Sequence, residues 1–155
     1  MTDLLELSRI DRTIEIQAPP ERVWRALTDA TELSQWFRVT IEGTLEPGQA
    51  VWMTSVTPSH AGQRFRVQIV EMTPPHRVVW QWDPGEVDPT IDYSREPHTT
   101  VTFTLERTQR GTKLSVSETG FDRIALARRA KVFADNSQGW TEVIVWLQTY
   151  VEAAR

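Results

Sequence analysis

Glu118 is the residue whose position most strongly suggests chemistry. Between Lys113 and Thr119 it follows the same alternation as Leu114 and Val116, so a regular strand would point its carboxyl group toward the core. A buried carboxylate must accept hydrogen bonds from neighbouring donors or hold its proton. Two interpretations follow. Either the strand ends here and Glu118 meets a backbone group or an arginine, or Glu118 is a polar group at the end of a cavity, where it orients a ligand.

Large aromatic rings form the second set of candidate residues. The chain of 155 residues contains seven tryptophans, and alternation places several of its rings on inward-facing strand positions. Wide flat side chains pack well around an apolar ligand, although the same alternation is equally typical of a filled core. We interpret the excess of rings as favouring a cavity. The predicted ligand-binding residues are Trp52, Phe65, Val67, Trp80, Trp82, Phe103, Glu118, Trp140, Ile144 and Leu147.

A catalytic set is not evident in the sequence. His60, His76 and His98 are the three histidines, and they are widely spaced in turn-like or strand-edge settings. There is no nucleophile elbow, phosphate-binding loop or dinucleotide glycine fingerprint. The absence of cysteine excludes disulfides, thiol catalysis and cysteine-ligated zinc. We therefore predict no catalytic residue, no metal site and no cofactor, and favour a binding protein over an enzyme.

Charge and length restrict the partners and the location. The formal net charge is −4, and nucleic-acid binding depends on an excess of lysine and arginine, so we predict no nucleic-acid partner. No apolar stretch approaches the roughly 18 residues of a membrane span, so we predict no membrane partner and a cytoplasmic location. The length suits one domain over residues 1–155, in which residues 1–8 are a candidate for a disordered tail.

The elements that must position these residues are mainly strands. Alternating apolar residues predict seven strands with short links, which favour antiparallel pairing. Two short helices, around Val23–Leu27 and Leu33–Phe37, separate the first strand from the rest. The change of phase at Val70 and Met72 indicates a bulge or a strand that is apolar on both faces. The predicted strands lie near residues 10–16, 39–45, 51–53, 65–72, 78–82, 101–105 and 114–116.

A long amphipathic helix is predicted at the C-terminal end, from Asn136 to Ala154. Asn136 or Ser137 would cap it, after a shorter helix over Ile124–Phe133 and a break at residues 134–136. Its apolar residues recur at helical spacing and form one stripe that needs a partner surface. The stripe contains Trp140, Val143, Ile144, Leu147 and Val151.

The connection from Asp83 to Pro97 is long, acidic and rich in proline. A connection of this length without regular structure is uncommon in a compact domain and is often functional. We therefore predict that it forms a lid.

Two regions of the sequence resemble one known family. The segment Ile14–Thr28, followed by Leu33-Ser34-Gln35-Trp36-Phe37, resembles the opening of the family of activator of 90-kDa heat-shock protein ATPase homologues. Gly111–Leu114, Thr119–Phe121 and Gly139-Trp140 with the amphipathic helix resemble its closing half. The resemblance spans about residues 10–153 and implies the START-like (SRPBCC) helix-grip fold. That fold is α+β, with a seven-stranded antiparallel sheet wrapped around a long C-terminal helix and two short helices after the first strand.

The resemblance also implies an apolar cavity between the sheet and the long helix. Our leading hypothesis is therefore a small-molecule carrier or sensor that holds an apolar or aromatic ligand there. One alternative is an interaction module resembling the chaperone activators, with a chaperone as partner. A second alternative is a cyclase-like or hydrolase-like enzyme on the same fold, with Glu118 or a cavity-edge group as acid or base.

Overall fold

The computed structural model describes residues 8–83 and 97–153. The predicted tail at residues 1–8 and the predicted lid at Asp83–Pro97 therefore lie almost wholly outside the described residues. No helix in the described ranges is long and apolar enough to cross a membrane. The elements in chain order are β1 (Arg9–Ile16), α1 (Pro20–Thr28), α2 (Ala30–Phe37), β2 (Val39–Glu42), β3 (Ala50–Ser55), β4 (Arg64–Thr73), β5 (Arg77–Trp82), β6 (Thr99–Arg107), β7 (Thr112–Thr119), a 3₁₀ turn (Phe121–Arg123) and α3 (Leu126–Ala153).

The described strands form one antiparallel sheet in the order β1-β7-β6-β5-β4-β3-β2. Strands β2 to β6 each pair with the next strand along the chain, whereas β1 pairs with β7. Helices α1 and α2 make the connection from β1 at one edge of the sheet to β2 at the other. A register shift between Ile69 and Glu71 confirms the irregularity in β4 that the apolar phase change indicates. The predicted α+β helix-grip fold is confirmed.

Strand β3 corrects one of the sequence predictions. Val51 and Met53 are buried on the core face, so Trp52 between them lies on the opposite face and is 38% exposed. The guanidinium of Arg64, on β4, lies 4.0 Å from the centre of its ring. The prediction that Trp52 points inward is therefore wrong. Three consecutive apolar residues leave the phase of a strand undecided, and here the aliphatic residues occupy the core.

Helix α3 is one continuous helix of 28 residues. The predicted shorter helix, the break at residues 134–136 and the cap at Asn136 or Ser137 are wrong. Tertiary contacts stabilise the helix where the helix propensity of its sequence is low. Arg12 on β1 donates from Nη2 to the Ser137 carbonyl at 2.9 Å and to Ser137 Oγ at 2.7 Å. Most helical stability in proteins comes from such packing rather than from intrinsic propensity.

The apolar stripe of α3 faces the sheet, as its spacing predicts. Trp140, Ile144, Leu147 and Val151 are buried in the common core, and Val143 packs partly buried against it. At the far end of the helix, Gln148 Nε2 donates to the Glu15 carbonyl at 2.9 Å. Contacts at Ser137, near the middle of α3, and at Gln148, nearer its C-terminal end, therefore fix the position of α3 along β1.

Candidate functional site

Glu118 is fully buried, with 0% of its surface exposed, and its carboxylate accepts hydrogen bonds from four side chains. Trp140 Nε1 donates to Oε1 at 2.8 Å, and Trp82 Nε1 donates to Oε2 at 2.8 Å. Thr99 Oγ1 donates to Oε2 at 2.5 Å. Asn136 Nδ2 lies 3.0 Å from Oε1 and 3.1 Å from Oε2. Strand β7 continues through Glu118 to Thr119, so the carboxyl group points inward, as expected for a regular strand.

The partners of Glu118 are neutral donors. Indole and amide N–H groups can only donate, so the arrangement suits a carboxylate, which can only accept. Hydrogen bonds to a charged group each contribute about 1.5–3 kcal/mol after the lost hydrogen bonds to water are taken into account. The bonds come from side chains, and the expected backbone or arginine partner is not among them in the described part of the chain. We call Glu118, Trp82, Thr99, Asn136 and Trp140 the Glu118 network.

Three strands and the long helix build this network. Trp82 ends β5, Thr99 begins β6 and Glu118 lies near the end of β7, so adjacent strands bring the three together. Trp82 is opposite Thr99, and Glu118 is opposite Val101, in the antiparallel register. Asn136 and Trp140 are four residues apart on α3 and therefore share one helix face. The network ties one end of the sheet to the middle of α3.

The two indoles of the network stack on each other. The ring centres of Trp82 and Trp140 are 5.9 Å apart, with 30° between their planes. Phe37, at the end of α2, stacks on Trp82 with a centroid distance of 6.2 Å and an interplanar angle of 17°. Phe65 meets Trp82 edge-on at 5.9 Å. Such ring pairs stabilise by about 0.5–1.5 kcal/mol beyond the area that they bury.

An apolar pocket opens beside these stacked rings. Its volume is about 170 Å³, and it is lined by Phe37, Trp82, Asp135, Asn136, Gly139, Trp140 and Val143. We call it the indole pocket. An apolar cavity of about 150 Å³ in another protein is large enough to hold benzene. The indole pocket therefore has room for one aromatic ring.

The sequence-predicted residues fall into three groups. Trp82 and Trp140 line the indole pocket, and Glu118 bonds both of them. Phe65 packs partly buried against Trp82, and Trp52 lies outside the core. The others fill the core between sheet and helix, and these are Val67, Trp80, Phe103, Ile144 and Leu147.

Sequence reasoning missed five residues that line the indole pocket. The sequence pattern places Phe37 and Val143 only in helices, and Gly139 only in the segment that resembles the family. Asp135 and Asn136 were assigned to a break or a cap. A continuous helix places Asn136 one turn before Trp140, and this spacing is the signal that could have found it.

A polar groove adjoins the indole pocket. It has a volume of about 480 Å³ and lies between α3 and the connection from β3 to β4. We call it the polar groove. It shares Asp135, Asn136 and Gly139 with the indole pocket. Its other lining residues are Ser59, His60, Gln63, Lys131, Gln138 and Glu142.

The histidines lie in different parts of the structure. His60 contacts Ser59 Oγ through Nδ1 at 2.8 Å in the polar groove, and His98 Nδ1 lies 3.0 Å from Asp83 Oδ1. Burial raises the pKa of the Asp83 carboxyl, and His98 opposes that rise only in part. Within residues 8–83 and 97–153, no group of three or more His, Cys, Asp or Glu side chains is arranged to hold a metal ion.

Comparison with known structures supports the fold. A protein from Mesorhizobium loti is similar with a TM-score of 0.75 and 21% identity, over 95% of this chain and 98% of that one. A protein from Nitrosomonas europaea has a TM-score of 0.73 and 18% identity, over 100% and 99% of the two chains. A protein from Arthrobacter aurescens has a TM-score of 0.74 and 20% identity, over 99% and 90%. Identities this low establish the fold alone.

Comparison of sequences identifies the family. No match was found among the curated proteins. The model of one family, described as Activator of Hsp90 ATPase homolog 1-like protein, matches residues 17–152. The match covers most of the chain, including both short helices, every strand from β2 to β7 and nearly all of α3. The chain therefore belongs to the Activator of Hsp90 ATPase homolog 1-like family.

Proposed function

We propose that this protein binds a small, largely apolar molecule with one aromatic ring in the indole pocket. The observation that carries the proposal is the role of the two indoles. The N–H groups of Trp82 and Trp140 both bond Glu118, so the rings offer the pocket mainly carbon surface. Buried polar groups without partners would oppose an apolar ligand, and here these two donors already have one.

The network also favours binding by fixing the pocket walls in advance. Each indole is held by a hydrogen bond at its edge and by contacts with neighbouring aromatic rings. A wall that is already ordered loses little side-chain entropy when the ligand enters. Proteins of this fold commonly bind ligands, which agrees with this use of the pocket.

The size of the pocket limits the affinity. A ligand of one ring and a short chain has about eight heavy atoms. Good small ligands gain about 0.5–1 kcal/mol of binding free energy per heavy atom, and the upper limit is about 1.5 kcal/mol per heavy atom. The expected dissociation constant for such a ligand therefore lies between about 1 mM and 1 μM.

The test is a titration with ethylbenzene, followed by protein NMR shifts and by the melting temperature. Wild-type protein should bind at one site and melt at a higher temperature. Val143→Phe places a ring in the pocket and should abolish binding. Val145→Phe is the matched control, because Val145 is 46% exposed on the same helix and does not line the pocket.

The controls decide between specific and non-specific binding. Loss of ethylbenzene binding in Val143→Phe but not in Val145→Phe supports the proposal. Equal binding by all three proteins would place the ligand elsewhere, and no binding by wild type would refute the proposed function.

A further inference from the structure

We infer that the ligand is an aromatic amine, with its ring in the indole pocket and an ammonium group, one short chain away, in the polar groove. The inference rests on the proposed function and names the chemical class of ligand for the same site. It depends on three features of the described residues: a shared wall, a fixed acceptor and an excess of negative charge.

The shared wall makes the two spaces one binding region. Asp135, Asn136 and Gly139 line both the indole pocket and the polar groove. The space beside Gly139 is open, because a Cβ built there would meet no atom within 4 Å. Glycine inside a helix costs about 0.5–1 kcal/mol relative to alanine. A molecule too long for the indole pocket would extend past Gly139 into the polar groove.

The fixed acceptor is the side-chain carbonyl of Asn136. The carboxylate of Glu118 can only accept, so it must face the NH₂ end of the Asn136 amide, as the 3.0 and 3.1 Å distances indicate. That bond settles which way the amide points. Within the described ranges no hydrogen bond to the carbonyl oxygen Oδ1 is formed, so this atom can accept from a donor on the ligand.

The charges of the polar groove favour the same kind of group. Lys131 Nζ pairs with Asp135 Oδ2 at 2.8 Å, whereas Glu142 forms no ion pair with any residue in the described ranges. Two carboxylates and one ammonium leave the groove with a formal excess of negative charge. His60 adds a ring whose Nδ1 contacts Ser59. A ligand ammonium would be attracted to Glu142, and a ligand carboxylate would be repelled.

The test compares three probes that share one ring: 2-phenylethylamine, ethylbenzene and 3-phenylpropionate. Dissociation constants for the full-length protein come from NMR titration. The amine should bind on the order of 3- to 10-fold more tightly than ethylbenzene, because a charge-assisted hydrogen bond at a partly exposed site adds modestly to apolar contact. The carboxylate should bind more weakly than ethylbenzene, and added salt should reduce both differences.

Glu142→Gln tests the role of the charge. It should weaken amine binding by up to about 5-fold and leave ethylbenzene binding unchanged. Glu106→Gln is the matched control, since it removes the same charge from β6, outside both spaces, and should change neither.

The outcomes separate this inference from the proposed function. If ethylbenzene binds but the amine binds no more tightly, or if 3-phenylpropionate binds as well as the amine, the inference is overturned and the proposed function stands. Equal loss of amine binding in Glu142→Gln and Glu106→Gln would also overturn it. If none of the three probes binds, both proposals fail.

Discussion

Glu118 shows how a single buried carboxylate can organise a site without a cationic partner. A buried ion pair brings two desolvation costs, whereas here one charge is surrounded by neutral donors that also need partners. The two indoles and the amide of Asn136 gain an acceptor in the same arrangement. The carboxylate therefore fixes the positions of the two indoles that line the indole pocket.

Glu118→Gln should reduce the free energy of unfolding by about 1–3 kcal/mol, although the two side chains have nearly the same shape. A glutamine amide would turn its NH₂ group toward at least one donor that cannot accept, and that donor would lose its partner. Urea unfolding of both proteins measures the difference. Glu106→Gln, at an exposed site, should stay within about 0.5 kcal/mol of wild type. Equal stability of the Glu118 and Glu106 variants would show that the hydrogen bonds of the Glu118 network do not stabilise the folded protein.

Asp83 should make stability depend on pH in a defined direction. Burial raises the pKa of its carboxyl in the folded protein, so the folded state holds the proton more tightly than the unfolded state. Stability should therefore fall as pH rises from about 4, the usual pKa of aspartate, through the raised value. Asp83→Asn has no carboxyl group at this position and should not lose stability in this way. The free energy of unfolding of the variant, relative to that of wild type, should therefore increase as pH rises over this range.

Urea unfolding of both proteins at a series of pH values tests this, because the contributions of titrating groups that do not interact with Asp83 cancel in the difference. A difference that is constant, or that decreases as pH rises, would contradict the assignment.

Single residues also mark a limit of sequence reasoning. The inward position of Glu118 follows from strand alternation alone, and the structure confirms it. The outward position of Trp52 could not be read from three consecutive apolar residues. Its contact with Arg64 depends on the register between β3 and β4, which no local pattern specifies.

At the scale of elements, α3 contributes to both the core and the indole pocket. Ile144, Leu147 and Val151 of its apolar stripe fill the core. The other two stripe residues, Trp140 and Val143, line the indole pocket together with Asn136 and Gly139. The stripe was predictable because helical spacing is a local property. The continuity of the helix through residues 134–136 was not, since it depends on contacts such as that of Arg12 with Ser137.

Leu147→Ala should lower the free energy of unfolding by about 2–5 kcal/mol. Leu147 is only 1% exposed in the core, so its neighbours can fill the resulting cavity only in part. Thr149→Ala, on the exposed face of the same helix, should change stability by less than about 0.5 kcal/mol. Thermal and urea unfolding provide the measurement. Equal effects of the two substitutions would place the wrong face of α3 against the sheet.

At the scale of the whole molecule, the fold was predictable and the pocket was not. Alternation in the strands and helical spacing in α3 are repeated along the sequence and predict the elements, and the family resemblance implies how they assemble into the helix-grip fold. The indole pocket instead depends on side chains from α2, β5 and α3 that meet only after folding. Alternation could not separate Trp82, in the pocket wall, from Trp80 and Phe103, in the filled core.

The central claim is that Glu118 holds Trp82 and Trp140 as the walls of a ligand pocket. The most direct measurement follows the indole N–H signals of these two residues by ¹H–¹⁵N NMR during a titration with ethylbenzene. Both signals should exchange slowly with water in the free protein, because both N–H groups are bonded to Glu118, and both should shift as the ring binds beside them. If both exchange rapidly, or if ethylbenzene binds while both remain unchanged, the claim is contradicted.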